Sequence, residues 1–159
     1  MRIHAAILGL AALALAACGG PTPYQPSDGY EGFAEQRLEP DRYRVRVVGN
    51  TITERETVQN QMLSRAAEIA LQQGFDRFVV VTQAVEPHTD YVTTDPFPFR
   101  YGYRRWPPFP DSYETRAITR YEAWAEVKLY RGGAPMGPDV YDARAVIGQL
   151  RDKVLAPKP

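Results

Sequence analysis

The chain has very little of the two residues most often used as nucleophile, base and soft metal ligand, cysteine and histidine. It has one cysteine, Cys18, so no internal disulfide can form and no multi-cysteine zinc site can be built. Histidine is almost as scarce, with only His4 and His88. His88 and Asp90 have a spacing that could touch a metal together, but two ligands do not close a site. There is no Gly-x-Ser-x-Gly elbow and no glycine-rich phosphate loop. Charge of one sign is also missing: 19 basic residues face 19 acidic ones. That balance lacks the electrostatic footprint of a nucleic-acid binder and offers no polybasic clamp for anionic lipid. Glu54, Glu56 and Glu68 stand among Arg55 and Arg65, which reads as a solvated helix face with weak ion pairs. The sequence therefore points away from an enzyme, and it implies no metal, no cofactor and no nucleic-acid partner.

What is present begins at the amino terminus. Met1-Arg2-Ile3-His4 is a short basic start, and Ala5 through Ala17 is uncharged, apolar and ends in small residues, as in a secretory signal peptide. The run is about 13 residues long, against the ~20 a helix needs to cross a bilayer. Leu15-Ala16-Ala17-Cys18 closes it. This arrangement resembles the lipobox of bacterial lipoproteins, which implies cleavage before Cys18 and lipid on its sulfur and its new amino group. Each buried CH₂ contributes about 0.8 kcal/mol, so the two or three chains of such proteins hold lastingly where one holds marginally. Lipidation would leave the folded part without any thiol, suited to an oxidising envelope. By analogy with enteric lipoproteins, Gly19 rather than aspartate after the cysteine implies the outer membrane, facing the periplasm. Removing the signal takes away Arg2 and leaves 18 basic against 19 acidic residues.

The rest divides into two parts. Residues 18–40 contain Pro21, Pro23, Pro26, Gly29, Gly32 and Pro40 with no sustained period and read as a lipid-anchored tether, about 65 Å long if fully stretched. Tyr24, Tyr30, Phe33 and Leu38 give that segment apolar groups able to pack on the domain. Residues 41–157 read as one small α+β domain. Tyr43–Val48 alternates apolar and charged side chains, the pattern of a half-buried strand. Thr53-Glu54-Arg55-Glu56 predicts a capping box opening a helix of about 20 residues. Val58, Met62, Ala66, Ile69 and Ala70 supply its apolar stripe, and Gly74 with Phe75 its left-handed C-terminal cap. Phe78–Thr82 is β-branched and apolar, suiting a central strand. Ala117–Tyr130 alternates over a length that predicts a bulge or bend, with Ala123, Ala125, Val127 and Leu129 on one face. A second helix is expected from Asp139 or Asp142 to Leu155, with Lys153 near its end. The expected architecture is a two-layer sandwich with the order β-α-β-long loop-β-α. Its three-stranded mixed sheet would contain a parallel crossover, with both helices on one face.

Residues 86–114 form a proline- and aromatic-rich insertion holding six of the chain's 14 prolines. Such proline density argues against strand or helix there. Tyr101, Tyr103, Arg104, Arg105 and Trp106 cluster within it, and aromatics with arginine are the residues that dominate contact surfaces. They are candidate contacts for an envelope protein partner or, alternatively, for glycan or peptidoglycan. An unstructured insertion partly covering the sheet explains the same residues.

Several stretches carry a family likeness: Thr22-Pro23-Tyr24-Gln25-Pro26, Glu35-Gln36-Arg37-Leu38, Tyr43-Arg44-Val45, Gly49-Asn50, Arg55-Glu56-Thr57-Val58 and Arg65-Ala66-Ala67-Glu68. With Tyr121-Glu122-Ala123 and Asp142-Ala143-Arg144, they resemble a family of small alphaproteobacterial lipoproteins of unknown function. The resemblance implies an envelope placement and supplies no catalytic residue. The expectation from sequence is a non-catalytic, lipid-anchored envelope protein serving an interaction or structural role.

Overall fold

The computed structural model describes residues 20–94, 114–133 and 136–155. Its elements are β1 (Gly32–Glu39), β2 (Arg42–Val48), α1 (Arg55–Gln72), β3 (Arg77–Thr94), β4 (Glu114–Tyr130), β5 (Val140–Asp142) and α2 (Ala143–Leu155). They build a curled five-stranded sheet in the order β1-β2-β4-β3-β5, and every ladder in it is antiparallel. This corrects the expected three-stranded mixed sheet. The helix α1 does connect two strands that point the same way, but β4 lies between β2 and β3 and pairs with both. β2 and β3 therefore do not form the expected parallel pair. The cross-strand chemistry fits that insertion: Arg44 bonds Glu126 at 2.6 Å, and Arg46 grips Glu122 through both nitrogens, one at 2.8 Å. These two arginine–glutamate pairs stabilise β2 beside β4.

The helix α1 packs its stripe across the centre of the sheet. Val58, Met62, Ala67 and Ala70 are fully buried, and Ala66 and Ile69 nearly so. Ala123 and Ala125 face it from β4 with 0% and 1% exposure, so small side chains under the helix let it sit close. The C-terminal cap is the expected one. Gly74 adopts φ +75°, its amide donates to Leu71 O at 3.0 Å and the amide of Phe75 donates to Ala70 O at 2.8 Å. The capping box is not formed: the N-cap residue is Glu54, with no side-chain cap. The short helix α2 starts where Asp142 accepts the amide of Ala145 at 2.9 Å, and Ala143, Val146 and Ile147 bring it into the same core.

The strands β3 and β4 are far longer than expected, and β3 runs through the start of the segment read as an insertion. Residues 86–94 and 114 are strand, not loop. Pro87 is tolerated for a stereochemical reason. The carbonyl of its partner Tyr121 accepts the Gly49 amide, so the backbone groups of Tyr121 turn toward β2 and the Pro87 nitrogen turns to the free edge. The bulge expected in the long strand occurs in its neighbour. The register shifts between Val80 and Thr82, leaving Val81 extra and 48% exposed. That shift increases local twist and helps curl the sheet. β2 stops pairing at Val48↔Glu122. From Pro87↔Tyr121 to Thr94↔Glu114, β3 and β4 continue alone as a two-stranded ribbon about 26 Å long at ~3.3 Å per residue.

The segment read as a tether also contains structure. Gly32–Glu39 is the edge strand β1. Gly32 begins it at φ +98°, where an added Cβ would lie 2.7 Å from Gln25 O, so this position accepts only glycine without strain. The Tyr24 ring packs on Phe33 at 4.8 Å between centroids, and the Arg65 guanidinium lies over the Phe33 ring at 4.6 Å.

Candidate functional site

The densest polar chemistry of the domain lies where the amino-terminal segment meets the turn between β2 and α1. Thr22 is completely buried, with Thr53 at 3% and Gln61 at 1% exposure. The Thr22 amide donates to Thr53 Oγ1 at 2.7 Å, and the Asn50 amide donates to Thr22 Oγ1 at 2.7 Å. The Thr22 hydroxyl donates to the Glu31 carboxylate at 2.6 Å, while Gln61 Nε2 donates to Thr22 O at 2.9 Å. Thr53 donates to Asn50 Oδ1 at 2.6 Å, and Asn50 Nδ2 reaches Gly20 O at 2.9 Å. Every polar atom of Thr22 is satisfied, so the burial of this residue is a clamp. It fixes the chain only four residues after Cys18. Thr53, expected to cap α1, is spent here instead.

A second layer supports the clamp. Arg65 bonds Glu35 at 2.7 and 2.9 Å and Glu68 at 2.8 Å. These two carboxylates hold its guanidinium well above the usual arginine range, Glu35 contributing most. The Tyr24 hydroxyl is buried with no partner at hydrogen-bond geometry, and burial together with the nearby Glu68 carboxylate pushes its ionisation far up. Because an orphaned hydroxyl loses its hydration without compensation, Tyr24→Phe is expected to leave thermal stability unchanged or raise it slightly. A melting curve shifted downward by several degrees would show a bond there after all.

Beside the clamp, an open recess of ≈ 230 Å³ is lined by Tyr30, Glu31, Asn50, Thr51, Ile118 and Arg120. It is smaller than the ~300–1,000 Å³ of ordinary small-molecule sites. On the ribbon above it, Arg120 grips the Asp90 carboxylate and holds it below the usual range, with His88 adding a weaker pull from 3.2 Å. The His88 side chain is 64% exposed. Among the described residues, no three His, Cys, Asp or Glu side chains come together as a metal site would require. Among them also, no helix is long and apolar enough to cross a membrane.

The lipidation candidate Cys18 and its lipobox residues Leu15, Ala16 and Ala17 lie outside the described residues, as do Tyr101, Tyr103, Arg104, Arg105 and Trp106. The structure brings together a group that sequence reasoning missed: Thr22, Asn50, Thr53 and Gln61. Its one sequence signal was Thr53, whose hydroxyl was read as serving its own helix. No family model, no curated protein and no solved structure matches this chain.

Proposed function

We propose that the chain is a lipid-anchored lipoprotein of the bacterial cell envelope, outer membrane and facing the periplasm, whose domain serves as a non-catalytic interaction or structural module. The observation that carries the reading is Leu15-Ala16-Ala17-Cys18 behind a short apolar run, with Cys18 the only thiol in the chain. The likeness to small alphaproteobacterial lipoproteins points the same way. The domain chemistry is in keeping with it: the buried polar groups around Thr22 bond one another and secure chain to domain. They therefore present no free base or nucleophile to a substrate.

Metabolic labelling with radioactive palmitate in a bacterial host tests the reading. The wild-type chain is expected to take up label and Cys18→Ala to lose essentially all of it. Equal labelling of the two proteins would contradict lipidation at this residue.

A further inference from the structure

We propose that the bilayer holding the lipid is also a docking surface for the domain, which sits on it by the end that carries the β3–β4 ribbon. The proposal rests on lipid attachment at Cys18 and adds an orientation to it.

The first observation is the length of the leash. Thr22 is fully buried and bonded on every side, so at most four residues separate Cys18 from a fixed point of the domain. Four residues reach at most about 14 Å at ~3.6 Å each. The reach of up to ~65 Å that a fully stretched tether to Pro40 would have is therefore not there, because Thr22 and β1 are already part of the domain.

The second observation is where the leash enters. Asn50 holds Gly20, and Gly49, immediately before it, bonds Tyr121 at the base of the ribbon. Tyr30, Asn50 and Thr51 share a recess with Ile118 and Arg120 of the ribbon. The chain thus enters at the end of the domain from which the ribbon leaves. A ribbon of eight residue pairs, about 26 Å at ~3.3 Å per residue, is longer than the leash beside it. With the lipid in the membrane, the ribbon meets the surface and lies on it.

The third observation is what that end exposes. Tyr30 is 78%, Ile52 50%, Tyr91 74% and Val92 45% exposed. Tyrosine is suited to the headgroup level, where its ring is half sheltered and its hydroxyl wet. The ribbon charges are mixed in sign, with Asp90 and Glu86 beside Arg116 and Arg120, so the docking is driven by confinement and not by attraction to anionic lipid.

The test uses the full-length lipidated protein in neutral phosphatidylcholine vesicles containing a headgroup-nitroxide lipid. Lipid on Cys18 leaves no other thiol, so an introduced cysteine is the single site for a fluorophore. Val92→Cys reports the ribbon and Gln72→Cys, exposed at the far end of α1, reports the opposite end. The nitroxide is expected to quench the label at residue 92 severalfold more than the label at 72. Inserting about twenty Gly/Ser residues between Gly19 and Gly20, an average span of ~25 Å, is expected to abolish the difference. Tyr91→Cys serves as a second ribbon label should Val92→Cys disturb the strand. Equal quenching at both ends, in protein whose mass shows the acyl chains, would overturn the docking and leave the anchor standing. A preference that survived the insertion would overturn the leash as its cause. Unacylated protein would overturn the anchor itself, and the mass alone reads that outcome.

Discussion

Phe78→Ala is expected to destabilise the domain by about 3–5 kcal/mol, the range for emptying a buried aromatic site. Phe78 heads the fully buried side chains by volume, with 0% exposure. It pairs with Leu129 across the sheet and stacks on Tyr141 at 5.2 Å between centroids with 14° between the planes. That stack adds about 0.5–1.5 kcal/mol beyond the buried area. Tyr141 belongs to β5, whose three residues are the only strand contact of β3 on that side among the described residues. Losing Phe78 therefore opens a cavity and loosens the attachment of β5 and of α2 behind it. Against a typical total stability of ~5–15 kcal/mol, the loss is large. The melting temperature is expected to fall by roughly 10–25 °C, at a few degrees per kcal/mol. Val81→Ala, at the half-exposed bulge, is the matched control and is expected to change little. A Phe78→Ala protein melting within about 3 °C of wild type would mean that the core is not closed around this ring.

Thr22→Val is expected to have the largest effect of any change outside the apolar core. Valine keeps the shape and removes the hydroxyl. The Asn50 amide then loses its 2.7 Å partner, keeping Thr53 Oγ1 at 3.3 Å, and the half-buried Glu31 carboxylate loses its 2.6 Å donor. A fully buried group left unpaired costs about 1–3 kcal/mol, and these half-buried groups are expected near the lower end of that range. Part of the loss is expected to appear locally rather than globally. Residues 25–33 keep their own bonds, Phe33 N to Gln25 O at 2.9 Å and Ser27 N to Phe33 O at 2.7 Å. The stretch that loosens is therefore Gly20 to Tyr24, which keeps only its backbone bonds to Thr53, Gln61 and Asn50. Limited proteolysis at low temperature is expected to cut Thr22→Val within this stretch while wild type resists, with a melting temperature lower by several degrees. Unchanged cleavage would show that Thr22 does not hold the segment. The same substitution loosens the end of the leash, so in the vesicle experiment it is expected to weaken the preference of the ribbon for the surface.

Local patterns were legible in the sequence wherever one element decides its own fate. The stripe of α1, from Val58 to Ala70, and the Gly74–Phe75 cap required only helical periodicity and the conformational freedom of glycine. The alternation of Ala123, Ala125, Val127 and Leu129 was equally readable, and all four are buried. What failed needed knowledge of a neighbour. Pro87 argues against a strand only if its missing amide faces a partner. It faces a free edge, because β5 pairs with β3 only over Arg77–Val79 and leaves that side open at Pro87. Whether β4 lies beside or between the other strands depends on pairing across about eighty residues, as in Arg46 with Glu122, and no local period encodes it. Thr53 followed by Glu56 matches a capping box, yet a better-buried partner 31 residues upstream claims its hydroxyl. The edge strand β1 was hidden because its outward face is polar and its start lies among prolines and glycines. As for the candidate site, the lipobox was legible as a motif, whereas the clamp that shortens the leash was visible only in three dimensions.

The most direct test of the central claim is the intact mass and amino-terminal fragment of the protein purified from the membranes of a lipoprotein-processing bacterium. The expected species begins at Cys18 and carries two or three fatty chains on that residue. A soluble, unacylated polypeptide beginning at Met1 would contradict it.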